Sequence, residues 1–209
     1  MSDSKKLYIL GYAGHAFVVI DAAVESGWDV KGYFDFEPAA NNPFKLPYMG
    51  SEKNIVLKSI VHSHPVFPAI GNNFIRRKLI EFLESEKINQ ATISEPSARI
   101  SKSATIGLST LVSANVSINA MAQIGKSCII NTGSIVEHEC KLGDFVHIAP
   151  GSVLAGNVRI GHNSFIGANS VLKENISIGE NVIIGAGSVV LKDIADNETW
   201  IGNPAKRNK

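Results

Sequence analysis

The chain has 209 residues, 44% of them hydrophobic and 19% charged, with a formal net charge of +1. At roughly 100–200 residues per domain this length leaves room for one large domain or two modest ones, and the composition is that of a globular protein, neither disordered nor membrane-spanning. The balanced charge comes without a long Lys/Arg run, which argues against nucleic acid or an anionic membrane as partner and favours small molecules.

The N-terminus reads Met1-Ser2-Asp3-Ser4-Lys5-Lys6 before a short apolar run ending at Gly11. That run is too brief, and too acidic at its start, for a secretory signal. Only two cysteines are present, Cys128 and Cys140, without metal-ligand spacing. A reduced cytoplasmic setting, free thiols and no metal are the expectation.

Lys6 to Leu10 reads as a strand, followed by Gly11-Tyr12-Ala13-Gly14-His15, a helix from Ala16 to about Ser26 and a second strand from Val30 to Phe34 ending at Asp35. This is a β-loop-α-β unit of Rossmann-like type, in which a glycine turn at a helix start brings backbone N–H groups to a phosphate. Only G-x-x-G is present, so the pattern predicts a nucleotide of some kind and does not by itself specify a dinucleotide. His15 is read two ways, as a cap of the helix or as a ligand contact.

A second unit follows at Val66 to Ile70, then Gly71-Asn72-Asn73 and a helix from Phe74 to about Leu83 carrying Arg76, Arg77 and Lys78 in its first turns. Asparagine at a helix start caps it, while cations there oppose the helix dipole. Such cations are easier to understand if an anion docks there; for Arg77 and Lys78 a solvated surface role is an equal alternative. Between Glu84 and Pro96 the helical pattern stops and no new one has begun, which divides the chain into residues 1–90 and 91–209.

From Ile100 to Val190 every sixth residue is Ile, Val or Leu, sixteen positions without interruption. Two places before most of them stands a small residue, and Gly, Asn and Asp crowd the places after. A period of this kind marks a solenoid of short strands and turns, whose aliphatic column fills a triangular prism. Three hexads close one coil of 18 residues, and coils stack at roughly 4.8 Å.

Residues 18 apart therefore lie one above the other. His138 sits beside Glu139, and Gly156 falls directly over it. An imidazole beneath a residue without a side chain leaves a substrate carbonyl room to approach, and the carboxylate orients the ring and raises its basicity. Pro150, Ala168, Ala186 and, by the same count, Pro204 form a second column, compact enough for a thin chain such as pantetheine, with Lys206 and Arg207 beyond it for phosphates. His162 is read as a bystander, and Cys140 as an inward packing residue. A purely structural solenoid remains the alternative.

Gly11 to His15, Ile70-Gly71-Asn72-Asn73, Glu137-His138-Glu139-Cys140, Ala155-Gly156-Asn157 and Gly202-Asn203-Pro204-Ala205-Lys206 together resemble the bacterial nucleotide-sugar acetyltransferases of the sialic-acid and bacillosamine type. Within that family the chain is most similar to enzymes that N-acetylate a UDP-4-amino-4,6-dideoxy-sugar. The resemblance implies a left-handed parallel β-helix after the Rossmann-like domain, a homotrimer with sites between neighbouring prisms, and acetyl-CoA as co-substrate. It implies His138 as general base with Glu139 as its partner, Gly156 offering its N–H to the thioester carbonyl, and His147 lining the pocket. Ala168, Ala186, Pro204 and Lys206 would complete the acetyl-CoA site. Gly11, Tyr12, Ala13, Gly14, His15, Asp35, Gly71, Asn72, Asn73 and Arg76 would hold the UDP-sugar, Tyr12 standing where the family has a small residue. An O-acetyltransferase of the sialic-acid type and a non-catalytic nucleotide-sugar-binding protein are the competing readings.

Overall fold

The computed structural model describes residues 5–51 and 64–208. The start of the N-terminal stretch weighed above as an export signal, Met1–Ser4, lies outside the described residues. The chain divides into two compact units, Met1–Glu95 and Pro96–Lys209. No helix among the described residues is long and apolar enough to cross a membrane.

In the first unit three parallel strands, β1 (Lys5–Leu10), β2 (Trp28–Phe34) and β3 (Val66–Pro68), pair in the order β2-β1-β3. Helix α1 spans Gly14–Glu25 and α2 spans Asn73–Ser85. The apolar stretches of sequence become its core: Leu7, Ile9, Leu10, Val19, Ile20, Phe34, Val66, Ile80 and Leu83 are all buried. Parallel strands buried on both faces read as nearly continuous hydrophobic runs, as β1 does. Because β2 and β3 lie on opposite sides of β1, the loops leaving the three strands open at one edge of the sheet, the place where such folds bind ligands.

Helix α1 begins two residues earlier than its apolar pattern indicates. Its N-cap is Ala13, with no side-chain cap, so His15 lies inside the first turn and the capping role expected for it is not what it does. Asn72 caps α2 by accepting from the Ile75 N–H at 3.0 Å.

The second unit is a β-solenoid of hexapeptide repeats. Two-residue strands stack in parallel, each residue paired with the one 18 places on: Ile129 with His147 and then Phe165, Ile135 with Val153 and then Val171, Lys141 with Arg159 and then Ser177. The aliphatic column is buried from Val112 to Val190, while Ile100 and Ile106 at its start are only partly covered. Thr110, Ser152, Ser164 and Ser170 also point inward, and their hydroxyls donate to carbonyls of Gly125, Gly167, Gly179 and Gly185 at 2.8–3.0 Å. At these four places a small hydroxyl residue fills the narrow part of the prism with its polar group satisfied, whereas the buried Ser134 hydroxyl in the same column finds no partner among the described residues.

Each coil turns its corners through a residue of positive φ, which is why Asn recurs there: Asn157, Asn163, Asn169, Asn175 and Asn181 have φ between 54° and 63°. Asn tolerates this left-handed region better than most side chains. Asn157 donates to Asn175, and Asn163 to Asn181, so the corners are tied along the prism axis.

The solenoid continues past the last aliphatic hexad, but its final coil is shorter. Ile178 bridges Ile194 and Ile184 pairs with Trp200, a step of 16 residues in place of 18, and Ile194 and Trp200 close the core. This corrects the expected stacking of Pro204 over Ala186. At the shortened step Gly202 takes that level, its carbonyl accepting from Val189 N–H at 3.0 Å. Pro204, preceded by a cis peptide bond, belongs instead to the turn of a hairpin formed by Thr199–Ile201 and Lys206–Arg207.

Candidate active site

On the prism, His138 and Glu139 occupy the corner after Ile135–Val136. Two hydrogen bonds set this corner: Glu139 N–H donates to the Ala120 carbonyl at 2.9 Å, and the His138 carbonyl accepts from Asn157 N–H at 2.8 Å. The His138 ring approaches Gly156 so closely that a Cβ on Gly156 would lie 2.5 Å from Cε1 and 2.6 Å from Nε2. His138 Nδ1 stands 3.1 Å from Glu139 Oε2. A proton on Nδ1 directed at this carboxylate leaves Nε2 with its lone pair, the arrangement a general base requires. The side chains of His138 and Glu139 are 58% and 63% exposed, so the pair contributes little to stability and stays open to substrate.

Glu139 stands at φ 62°, at a corner place filled mostly by Asn and Gly, such as Asn157, Asn163, Asn169, Gly133, Gly151 and Gly187, and also by Ser109, Met121, Ser127 and Phe145. A carboxylate side chain held in the left-handed region carries backbone strain of about 1–2 kcal/mol. No packing gain offsets it, because Glu139 is exposed. The Gly156 N–H donates to no acceptor among the described residues and is available to an oxyanion, while the Gly156 carbonyl accepts from Asn175.

The other expected acetyl-CoA contacts are not at this corner. The small column Pro150, Ala168 and Ala186 runs along the corner before Val153 and Val171, one face width from His138. His147 lies on the face opposite the His138 corner, buried, edge-on to Phe165 with ring centroids 5.0 Å apart and 3.4 Å from Asn131 Nδ2. One chain alone therefore does not bring His147 to His138. Lys206 is exposed, whereas Arg207 is engaged by Glu198 at 3.2 Å.

His162 also has a structural role, since its Nδ1 accepts from Asp144 N–H at 2.8 Å. Cys140 is fully buried, and burial pushes its thiol up to about 11, far from a reactive thiolate.

In the first unit the loops at the strand ends enclose a cavity of about 350 Å³ lined by Leu10, Gly11, Asp35, Phe36, Ile70, Ile75, Lys78, Leu79 and Phe82. Gly11 has φ 85°, a conformation that favours glycine. Asp35 commits both oxygens to the loop backbone, Oδ2 accepting from Tyr12 N–H at 2.8 Å and Oδ1 from Phe36 N–H at 2.7 Å. Tyr12 is buried, its ring stacked on Tyr33 at 3.9 Å and its hydroxyl donating to Asn42 Oδ1 at 2.6 Å. It fills the core behind the loop, so its side chain is not the ligand contact expected of it.

Arg76 is likewise not an exposed anion contact. It is 2% exposed, with its guanidinium donating to the carbonyls of Ile70 and Gly71 and to Asn73 Oδ1. His15 lies against Gly71, and burial together with the nearby Arg76 charge holds it at about 4, neutral near pH 7. Phe36, Ile75, Leu79 and Phe82 were missed as cavity-lining residues. Phe36 and Ile75 are large apolar side chains exposed at 75% and 53%, and their hydrophobic character in an otherwise polar loop and helix face was the available signal.

Comparison with known proteins agrees with both halves. A family described as the PglD N-terminal domain matches residues 6–83, and one described as bacterial transferase hexapeptide (six repeats) matches residues 121–156 and 157–192. A histidine-to-asparagine mutant of perosamine N-acetyltransferase from Caulobacter crescentus, solved with CoA and GDP-perosamine, is 34% identical, with 98% of this chain and 97% of that one covered and a TM-score of 0.93. The acetyltransferase domain of PglB from Neisseria gonorrhoeae, in complex with acetyl coenzyme A, is 33% identical over 98% and 100% of the two chains, with a TM-score of 0.91. WeeI from Acinetobacter baumannii, at 22% identity over 98% and 100% and a TM-score of 0.79, shares the fold. Near-complete coverage at a third identity, on a hexapeptide prism that follows a PglD-type N-terminal domain, sets aside the non-catalytic reading: the chain is an acetyltransferase and belongs to the sugar N-acetyltransferase family.

Proposed function

We propose that this enzyme transfers an acetyl group from acetyl-CoA to the 4-amino group of a UDP-4-amino-4,6-dideoxy-N-acetylhexosamine. The observation that carries the chemistry is the corner where His138, oriented by Glu139, lies against Gly156. The choice of acceptor rests on the perosamine enzyme, which binds a nucleotide sugar and CoA, and the choice of uridine on the loop motifs that resemble the bacillosamine enzymes.

A protonated amine has no lone pair with which to attack. His138 Nε2 takes the amine proton as the nitrogen attacks the thioester carbon, and Gly156 N–H donates to the developing oxyanion. The new C–N bond forms, the C–S bond breaks, and the CoA thiolate leaves with the proton held by His138. No acyl-enzyme is formed, in keeping with a buried Cys140 whose thiol stays protonated. A well-placed base typically contributes about 10²–10⁴-fold, and one oxyanion donor about 10²–10³-fold.

Acetyl-CoA takes the prism, with Ala168, Ala186, Pro204 and Lys206 along its path, and the nucleotide takes residues 1–90, at the loops of Gly11 to His15, Asp35 and Gly71 to Asn73. Since the small column lies on another edge of the prism than His138 and His147 on the opposite face, a homotrimer, in which one prism's corner faces a neighbour's, supplies the arrangement that one chain lacks. The protein works in the cytoplasm, where both substrates are made. His138→Ala tests the assignment: turnover falls by at least about 10²-fold with the melting temperature unchanged, whereas near wild-type turnover in the folded variant removes His138 from the reaction.

A further inference from the structure

The Arg76 guanidinium bridges three acceptors on a single turn: Nη1 donates to the Ile70 carbonyl at 3.0 Å and to the Gly71 carbonyl at 3.1 Å, and Nη2 to Asn73 Oδ1 at 2.9 Å. In a planar trans peptide the C=O and the N–H of the same unit point in opposite directions. Fixing the carbonyls of Ile70 and Gly71 on Arg76 therefore turns the N–H groups of Gly71 and Asn72 away from it. The Asn72 N–H donates to no acceptor among the described residues, and Asn72 is exposed.

Ile70 belongs at once to this clamp and to the wall of the 350 Å³ cavity, beside Gly11. The turn is thereby held with its carbonyls on Arg76, next to the cavity wall that Ile70 forms and at the start of α2. His15 packs against Gly71 from α1, near enough to Arg76 to feel its charge. A buried guanidinium is costly unless its donors are satisfied. The three acceptors that satisfy it here are available only in this one arrangement of the turn, so burial of Arg76 and the orientation of the turn are coupled.

We propose that Arg76 is a positioning residue for the acceptor substrate: it orients the Asn72 amide toward the diphosphate of the nucleotide sugar without touching that diphosphate. This rests on the reading that residues 1–90 bind the nucleotide. Lysine at position 76 keeps the charge but, as a compact ammonium on a flexible stem, does not reproduce the planar fork that spans two carbonyls and an amide. Methionine keeps the bulk and removes charge and donors.

The experiment is calorimetric titration of the full chain with UDP and, separately, with uridine, for wild type, Arg76→Lys and Arg76→Met, together with Michaelis constants for acetyl-CoA. Wild type binds UDP at least tenfold more tightly than uridine. Arg76→Met loses most of that ratio, with uridine affinity and the acetyl-CoA constant within threefold of wild type, and Arg76→Lys falls between. If Arg76→Met does not fold, the Arg76→Lys ratio alone decides, with a loss of threefold or more expected. An unchanged ratio in a folded variant, or an equal loss for UDP and uridine, overturns the positioning role and leaves Arg76 a packing residue. Failure of wild type to distinguish UDP from uridine instead overturns the nucleotide reading, and this inference with it.

Discussion

Gly156→Ala is the sharpest probe of the site, because the perturbation is a single methyl whose position is known. Gly156 does not need a left-handed φ, so alanine is acceptable to the backbone. The new Cβ would stand 2.5 Å from His138 Cε1, and carbon atoms in contact prefer about 3.5–4.0 Å, so the ring must retreat by roughly 1 Å. It is free to do so, since its side chain is 58% exposed, and the unfolding free energy should change by less than about 1 kcal/mol. A 1 Å misplacement of a reacting group costs on the order of 10²-fold in rate, about 2.7 kcal/mol of activation free energy.

The Gly156 N–H survives the substitution, so the loss reports on His138 and not on the oxyanion donor. Thiol release at saturating substrates, followed with a thermal melt, is the assay. In a His138→Ala background the second substitution should cost little more, because the group it displaces is already gone. Turnover within threefold of wild type for Gly156→Ala alone would refute the geometric argument. So would full additivity in the double variant.

Glu139→Asn relieves the left-handed strain and should raise stability by about 0.5–1 kcal/mol in denaturant melts, while lowering turnover by roughly tenfold as the ring loses its anchor. A variant that gains stability at no cost in rate would show Glu139 to be a plain corner residue. His15 predicts an acid limit. Its folded value of about 4 lies below the ordinary 6.5, so the folded state binds fewer protons between the two and stability falls as pH is lowered through that window, by on the order of 3 kcal/mol in total. His15→Gln should flatten the stability profile between pH 6.5 and 4; an unchanged slope would assign the acid sensitivity to other groups.

The solenoid was legible because its period is written in one-dimensional order: a strand of two residues and a corner of four leave no freedom about which side chain points inward. The same count carried Gly156 to His138 correctly. It failed at the last coil, where Ile194 and Trp200 close the core off the six-residue frame and shift Gly202 into the level expected for Pro204. A period cannot announce its own interruption.

The first unit was legible as strands and glycine loops but not in the direction of its side chains. Tyr12 stands in the first glycine loop and Arg76 in the first turn of α2, yet both turn inward, Tyr12 onto Tyr33 and Asn42 and Arg76 onto the carbonyls at Ile70 and Gly71. Those partners lie elsewhere in the chain or in the backbone, where residue type carries no signal. Glu139 could have been singled out further: a carboxylate at a corner place otherwise rich in Asn and Gly is visible from the register alone.

Product analysis tests the central claim most directly. The purified enzyme is incubated with acetyl-CoA and either a UDP-linked or a GDP-linked 4-amino-4,6-dideoxy sugar, and the products are examined by mass spectrometry and NMR. The expected result is one acetyl group per UDP-sugar, on the 4-nitrogen, with one CoA thiol released per product and the UDP acceptor preferred. Acetylation of a hydroxyl, preference for the GDP-sugar, or thiol release that the amine does not stimulate would contradict it.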